Sequence, residues 1–137
     1  MPTQKSCQGS ADLENKRKLG SGYEEAAASF LQKEGVRILA RNFRCRMGEI
    51  DLIGRDRDCL VFVEVKYRRG RGSGSALESV NVRKQRTISR VAGYYLLKHQ
   101  LPADISCRFD VVGIDGNQIR WVKNAFEYRN GKDETWK

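Results

Sequence analysis

The stretch that decides the fold is GEIDLIGRDRDCLVFVEVKYRR, which runs from Gly48 to Arg69. It contains two short apolar runs, 49–53 and 60–67, and the second is rich in the Val and Phe residues typical of a buried strand. The charged residues 55–58 between them have the length of a hairpin connection. The sequence therefore predicts two adjacent antiparallel strands.

Two charged residues interrupt the second run, because Glu64 and Lys66 stand where a core strand would carry aliphatics. Side chains alternate along a strand, so both share a face with Phe62. A turn centred between residues 56 and 57 would place Asp51 opposite Phe62 and diagonal to Glu64. A register slip of two residues would keep Asp51 on that face, whereas a slip of one would remove it. Carboxylates that converge beside a lysine can bind a hard cation or form a salt-bridged group on a half-exposed strand, and the spacing leaves both open.

The same residues carry a resemblance to known proteins. Asp51, followed by Glu64-Val65-Lys66 after a Val-rich run, resembles the D…ExK core of the restriction-endonuclease-like superfamily. The longer pattern GEIDLI…VFVEVKYR resembles the YraN family of predicted endonucleases, which are related to archaeal Holliday junction resolvases. The likeness covers roughly residues 20–126. It includes Glu24, Ala27, Leu31, Gly35, RILARNFR, Val80, Lys84-Gln85 and RFDVVGI; Ile50 replaces the nominal Pro of the superfamily motif.

This resemblance implies an α/β domain of the restriction-endonuclease-like type, with a mixed central β-sheet flanked by helices. It implies a hydrolase that cuts phosphodiester bonds in DNA, branched or junction DNA included, with Mg²⁺ or Mn²⁺ as cofactor. Asp51, Glu64 and the Val65 carbonyl would bind the metal, Lys66 would serve the water or the transition state, and Glu24 would complete the site. A homodimer is implied by the resolvases, because symmetric cutting of two strands favours a two-fold assembly. The alternative is a non-catalytic nucleic-acid-binding module with the same fold.

Composition bounds the class of protein. A chain of 137 residues is one domain, and we assign the domain to residues 20–128, with a disordered basic arm at 1–19 and a polar tail at 129–137. The net charge of +9 favours nucleic acid over a membrane as the partner. The resemblance implies that this nucleic acid is DNA. No apolar run has the length of a membrane helix or of a signal peptide, which predicts a cytoplasmic protein.

Cysteine and histidine chemistry is disfavoured. The four cysteines form no CxxC pair and the chain has one histidine, His99, so a structural zinc site is not expected. Cys59 and Cys107 border apolar runs and are expected to pack as small hydrophobes.

Glu24 has two interpretations. Residues 21–34 read as a helix whose apolar stripe contains Tyr23, Ala26, Ala27, Phe30 and Leu31. Ser21 and Glu24 have the spacing of a capping box. The resemblance instead makes Glu24 the helix-borne acidic residue of the metal site.

The candidate nucleic-acid contacts follow the second strand. The Gly-rich segment 68–75 and the helix expected within 76–100, capped at Ser79 or Asn81, carry Arg68, Arg69, Arg71, Arg83, Lys84, Arg86 and Arg90. Each group could instead be a plain linker or a solvated helix face. Two further strands, 109–114 and 119–122, are expected to join through Asp115-Gly116, and Asp110 is expected to pair with a basic neighbour rather than with the metal.

Overall fold

A computed structural model describes residues 11–68, 80–102 and 104–128. Arg69, Arg71, the polar tail and the first ten residues of the predicted arm lie outside these ranges. The elements are α1 (Ala11–Lys33), β1 (Arg37–Cys45), β2 (Gly48–Asp56), β3 (Cys59–Arg68), α2 (Val82–Lys98), β4 (Cys107–Asp115) and β5 (Gln118–Phe126).

The strands form one mixed sheet in the order β1-β2-β3-β4-β5. All neighbours are antiparallel except β3 and β4, which run parallel. Parallel neighbours need a crossover connection, and α2 lies in it. The five-stranded mixed sheet with its two helices confirms the predicted restriction-endonuclease-like α/β fold.

Apolar residues cover both faces of the sheet. On one face, α2 contributes Ile88, Val91 and Tyr95 to a core that contains Phe62 and Phe109. Fully burying one such side chain stabilises the fold by about 1.5–3 kcal/mol.

The other face packs against α1. This smaller core brings Ala27, Ala28 and Leu31 against Val61 and Val63. The buried stripe of α1 is rotated from the predicted one, since Ala28 is buried and Ala26 is exposed.

The ends of the helices differ in how well the sequence predicts them. Helix α1 begins at Ala11, so residues 11–19 of the predicted disordered arm are helical; Leu, Glu, Lys and Arg, frequent there, have high helix propensity. Helix α2 begins after Asn81, whose Oδ1 accepts a hydrogen bond from the Lys84 N–H at 2.9 Å, as one of the two predicted caps requires. No helix in the described ranges is both long and apolar enough to cross a membrane.

The β2–β3 hairpin is confirmed, with a register two residues away from the expected one. Asp56 pairs with Cys59, so the turn is centred between Arg57 and Asp58. Arg57 has a φ of +60°, the backbone conformation that tight two-residue hairpins favour. A slip of two residues leaves the parity of the paired residues 52–56 and 59–63 unchanged.

The prediction for the cysteines holds for one of the two. Cys59 packs against the α1-side core. Cys107 is exposed, because it is the first residue of β4 and the buried part of that strand begins two residues later.

Candidate active site

Strands β2 and β3 separate at the position that the D…ExK pattern singles out. Their pairing ends at Leu52 and Val63, whereas β3 continues beside β4 as far as Arg68. The next residue of β2 is Asp51, and its Oδ2 accepts a hydrogen bond from the Val65 N–H at 2.8 Å. A carboxylate thus occupies the place that a backbone carbonyl of β2 would otherwise take.

An irregularity in β1 and β2 accompanies this separation. Asn42 has a φ of +50°, and Ile50 and Ile53 pack in the same α2-side core although they are three residues apart. Strict alternation would place Ile50 and Ile53 on opposite faces. The alternation therefore shifts next to Asp51, which lets its side chain approach α1.

Three carboxylates gather at this point. One oxygen each from Glu24 of α1 and from Glu49 and Asp51 of β2 lie within 4.8 Å of one another. Side-chain hydrogen bonding with Asp51 and with Asn42 acts to lower the pKa of Glu24, against the effect of its burial. Oxygen ligands around an octahedral Mg²⁺ are about 3 Å apart, so modest side-chain rotation would bring these oxygens around one cation.

The capping interpretation of Glu24 is wrong. Helix α1 runs without interruption from Ala11 through Ser21 to Lys33, so Ser21 is an interior residue and no helix begins there. The spacing of Ser21 and Glu24 suggested a helix start because it matches a capping box, but ten earlier residues with helical conformation remove that role. Glu24 instead lies in the acidic cluster.

Burial and mutual repulsion alter the protonation of the cluster. Burial, with the negative charge of Glu64 as the next cause, raises the pKa of Asp51 to about 8 despite the hydrogen bond from Val65. Burial also raises the pKa of Glu24, and Glu49 and Glu64 act in the same direction. At neutral pH the Glu24–Asp51 pair therefore retains a proton, which a bound cation would displace.

Glu64 occupies a different electrostatic environment. Its side chain is 5% exposed, and its Oε2 lies 3.3 Å from Lys66 Nζ and 3.5 Å from Lys84 Nζ. Lys66 shares the strand face of Glu64, and Lys84 comes from the first turn of α2. The two lysines compensate the buried charge, and Glu64 remains close enough to raise the pKa of Asp51.

The structure thus groups the predicted residues in two neighbouring sets. Asp51 and Glu24 belong to the acidic cluster, while Glu64 and Lys66 form an ion pair on β3. Joint coordination of a metal by Asp51, Glu64 and the Val65 carbonyl stays a prediction.

Sequence reasoning missed two members of the site. Glu49 precedes Asp51 by two residues, and that alternation in GEID was the signal that could have identified it. Lys84 was expected to contact nucleic acid, but its Nζ lies beside Glu64.

The predicted basic contacts are only partly described. Arg83 and Arg90 are exposed and lie seven residues apart on one side of α2, while Arg86 is partly buried. Arg68 ends β3, and its side chain lies outside the described part of the chain.

The mixed sheet, the separating strand pair and the acidic cluster define the class: a restriction-endonuclease-like α/β domain with a candidate cation site. The model of the uncharacterised protein family UPF0102 matches residues 23–114. A UPF0102 protein of Lachnoclostridium phytofermentans is 49% identical over 113 residues, which cover 82% of this chain and 96% of the relative. A UPF0102 protein of Pseudomonas putida is 46% identical, and the match covers 79% of this chain and 92% of the relative. A UPF0102 protein of Photobacterium profundum is 49% identical, and the match covers 81% of this chain and 91% of the relative. The chain belongs to the UPF0102 family, which confirms the YraN resemblance.

Proposed function

We propose that this protein is a metal-dependent nuclease that hydrolyses phosphodiester bonds in DNA. The observation that carries the proposal is the gathering of Glu24, Glu49 and Asp51 within 4.8 Å, beside a buried carboxylate with two lysines. The negative charge of a phosphodiester repels the nucleophile that has to attack its phosphorus atom. A cation site flanked by lysines supplies what that reaction needs.

The residues present fit a hard divalent cation. The donors are carboxylate oxygens, the ligands that Mg²⁺ and Mn²⁺ prefer. Burial raises the pKa of Asp51 and of Glu24, with the neighbouring carboxylates as a further cause, and a cation bound among these groups would offset both effects. Asp51, Glu24 and Glu49 would hold the ion, with Glu64 adjacent. When bound, the cation would polarise the phosphate and lower the pKa of a water molecule.

The chain's own side chains would do the remaining work. The Val65 N–H fixes the orientation of the Asp51 carboxylate. Lys66 is 27% exposed and held by Glu64, so its ammonium can orient the attacking water or neutralise charge on the phosphate. Lys84 lies at the start of α2 and can contact a neighbouring phosphate while it balances Glu64.

A non-catalytic binding module is the second candidate. The observation that favours it is the ion pairing of Glu64 with Lys66 and Lys84, which satisfies a buried carboxylate without any metal. The nuclease and the binding module would both bind nucleic acid through the basic residues of α2. They differ in whether cleavage accompanies binding.

We expect Glu64→Gln to reduce metal-dependent cleavage at least about 100-fold, because the amide removes an anionic group next to the cation site and leaves the lysines without their partner. Nucleic-acid affinity should persist or increase slightly, since a negative charge near the phosphates is gone. Cleavage of branched and single-stranded DNA with Mn²⁺, Mg²⁺ and a chelator is the measurement.

The matched control is Glu25→Gln, which changes an exposed carboxylate that pairs with Arg41 on the surface. This variant should cleave like the wild type. Absence of cleavage by wild type on every substrate would move the assignment to the binding module. Equal, metal-independent cleavage by all three proteins would indicate a contaminating nuclease.

The basic side of α2 should contribute to binding through phosphate contacts. Alanine substitution at Arg83, Arg86 and Arg90 should weaken binding in steps. Each lost contact should reduce the slope of log K against log salt by roughly 1. The partly buried Arg86 should contribute least. Arg120→Ala, an exposed change on β5, is the control. A slope that the triple variant leaves unchanged would assign this side of α2 to solvent.

A further inference from the structure

The β1–β2 turn and α2 enclose a groove that the proposed chemistry does not use. Its volume is about 520 Å³, and it is lined by Arg44, Cys45, Arg46, Met47 and Tyr94. This size falls within the range of roughly 300–1,000 Å³ that is typical of small-ligand sites. Met47 and Tyr94 are 44% and 39% exposed, so the apolar part of the groove is open to a ligand.

The walls of the groove are fixed by close packing. A Cβ at Gly48 would lie 2.6 Å from the Thr87 Cγ2, so the turn approaches α2 as closely as only glycine allows. Behind the groove, the Phe43 ring lies 6.2 Å from Tyr94 and 5.2 Å from Tyr95, measured between ring centroids. A groove whose walls are held in this way needs little reorganisation to accept a ligand.

The lining favours a nucleotide over a purely apolar ligand. An exposed aromatic ring offers a face on which a base can stack, and guanidinium groups such as that of Arg46 bind phosphate. Arg44 is already engaged, with its Nε 3.2 Å from a Glu49 carboxylate oxygen of the acidic cluster. That contact ties the groove directly to the candidate active site.

The groove also continues the exposed basic side of α2. Arg83, Arg90 and Tyr94 follow one another at helical spacing and are all exposed. At 1.5 Å per residue, Tyr94 lies about 16 Å along the helix from Arg83, which is close to the start of α2 where Lys84 contacts Glu64. An extended strand of a few nucleotides could follow this path from the site to the groove.

We propose that this groove binds one unpaired nucleotide of a single-stranded segment, with its base against Tyr94 and its phosphates on Arg46 and Arg90. The proposal rests on the proposed function for the nature of the ligand and names the substrate class: nucleic acid with a single-stranded portion next to the cleavage site. A continuous duplex does not fit, because its bases are paired and stacked and cannot reach the ring.

The test is binding of a fluorescent hexathymidylate to the full chain in the presence of a chelator, so that no cleavage occurs. Tyr94→Leu keeps an apolar side chain but removes the stacking face, and we expect affinity to fall at least about 5-fold with an unchanged salt slope. Arg46→Gln should weaken binding and lower the slope by roughly 1. The matched control is Tyr128→Leu, which removes another exposed tyrosine ring, 53% exposed, and should leave affinity unchanged.

Three outcomes would overturn the proposal: full affinity in Tyr94→Leu, an equal loss in Tyr128→Leu, or a duplex bound as tightly as the single strand and equally weakened by Tyr94→Leu. Sedimentation tests the rival occupant, a second copy of the chain. A dimer lost in Tyr94→Leu with unchanged oligonucleotide affinity would assign the groove to self-association.

The experiments distinguish failure of the groove proposal from failure of the nuclease proposal. Tyr94-dependent binding without cleavage would leave this site and remove the nuclease, whereas Glu64-dependent cleavage with Tyr94-independent binding would do the reverse.

Discussion

Asp51→Asn should make the metal-free protein more stable while it abolishes metal-dependent cleavage. The carboxyl of Asp51 lies among Glu24, Glu49 and Glu64, and its burial is the main reason for its raised pKa. An amide removes the repulsion, keeps an oxygen for the Val65 N–H and offers Glu24 a donor. We expect about 1–2 kcal/mol of added stability near pH 8, well below the full value of the shift because solvent reaches the site.

The raised pKa of Asp51 determines how the stability of the wild type changes with pH. The ordinary pKa of 3.8 rises to about 8 in the folded protein. Between these values the native state retains a proton that the unfolded state has lost, so this group lowers the wild-type stability as pH rises from about 4 to about 8. Asp51→Asn should lack that part of the decline. Calorimetric melting at pH 5, 7 and 9 in a chelator measures the difference, which should be largest at pH 9.

The control is Asp58→Asn, a change at an exposed turn residue that should alter neither stability nor cleavage. Addition of Mn²⁺ should raise the melting temperature of the wild type and of Asp58→Asn but not of Asp51→Asn, because binding to the native state alone stabilises it. A melting temperature of Asp51→Asn below that of the wild type at pH 9 would contradict the electrostatic account of the cluster.

Asp110→Ala should destabilise the fold strongly, with a loss of about 3–5 kcal/mol. Asp110 is 1% exposed and accepts hydrogen bonds from Arg108, from the Trp121 Nε1–H at 2.9 Å and from the Asn124 N–H at 2.9 Å. Alanine would remove this acceptor from the partly buried Trp121 Nε1–H and from the Asn124 N–H, and would leave Arg108 with its contact to Asp56 only. Urea unfolding of the variant measures the loss.

Two further variants show how much of the stability loss comes from the hydrogen bonds of Asp110. Asp110→Asn keeps the size of the side chain and one acceptor, so it should cost less than alanine. Asp58→Ala, at the exposed turn, should change stability by less than about 0.5 kcal/mol. An Asp110→Ala variant as stable as Asp58→Ala would show that the buried ion pair with Arg108 is energetically neutral.

The strand pair could be predicted from the sequence because it depends on local rules. Alternation in residues 49–53 and 60–67 predicts the strands, and the register shift of two residues keeps the parity of the paired residues 52–56 and 59–63. The expectation that Asp51 shares a face with Glu64 is wrong, because the alternation in β2 shifts next to Asp51, which approaches α1, whereas Glu64 lies beside Lys84 of α2. Asp110 was correctly expected to pair with a basic neighbour, and it does so with Arg108, two residues before it.

The features that the sequence did not predict depend mostly on contacts between elements that are distant in the chain. Glu49 joins the cluster because β2 leaves β3 beyond Leu52, and no local pattern in the strand reports where pairing will end. Lys84 meets Glu64 only because the crossover returns α2 to the same end of the sheet. The early start of α1 was missed because a charged helix without an apolar stripe resembles a disordered arm in composition.

The one parallel pairing of the sheet affects the order in which the molecule can assemble. Tight turns join β2 to β3 and β4 to β5, so each hairpin can form without closing a long loop. The contact between Leu60 and Cys107 closes a loop of more than 40 residues, and its entropic cost is met only when the two hairpins are joined. Lys84 lies inside that loop and precedes β4, so Glu64 can acquire its second lysine when α2 packs on β2 and β3, before β4 is in place. A nascent chain that ends before β4 therefore already contains both lysines that balance the charge of Glu64.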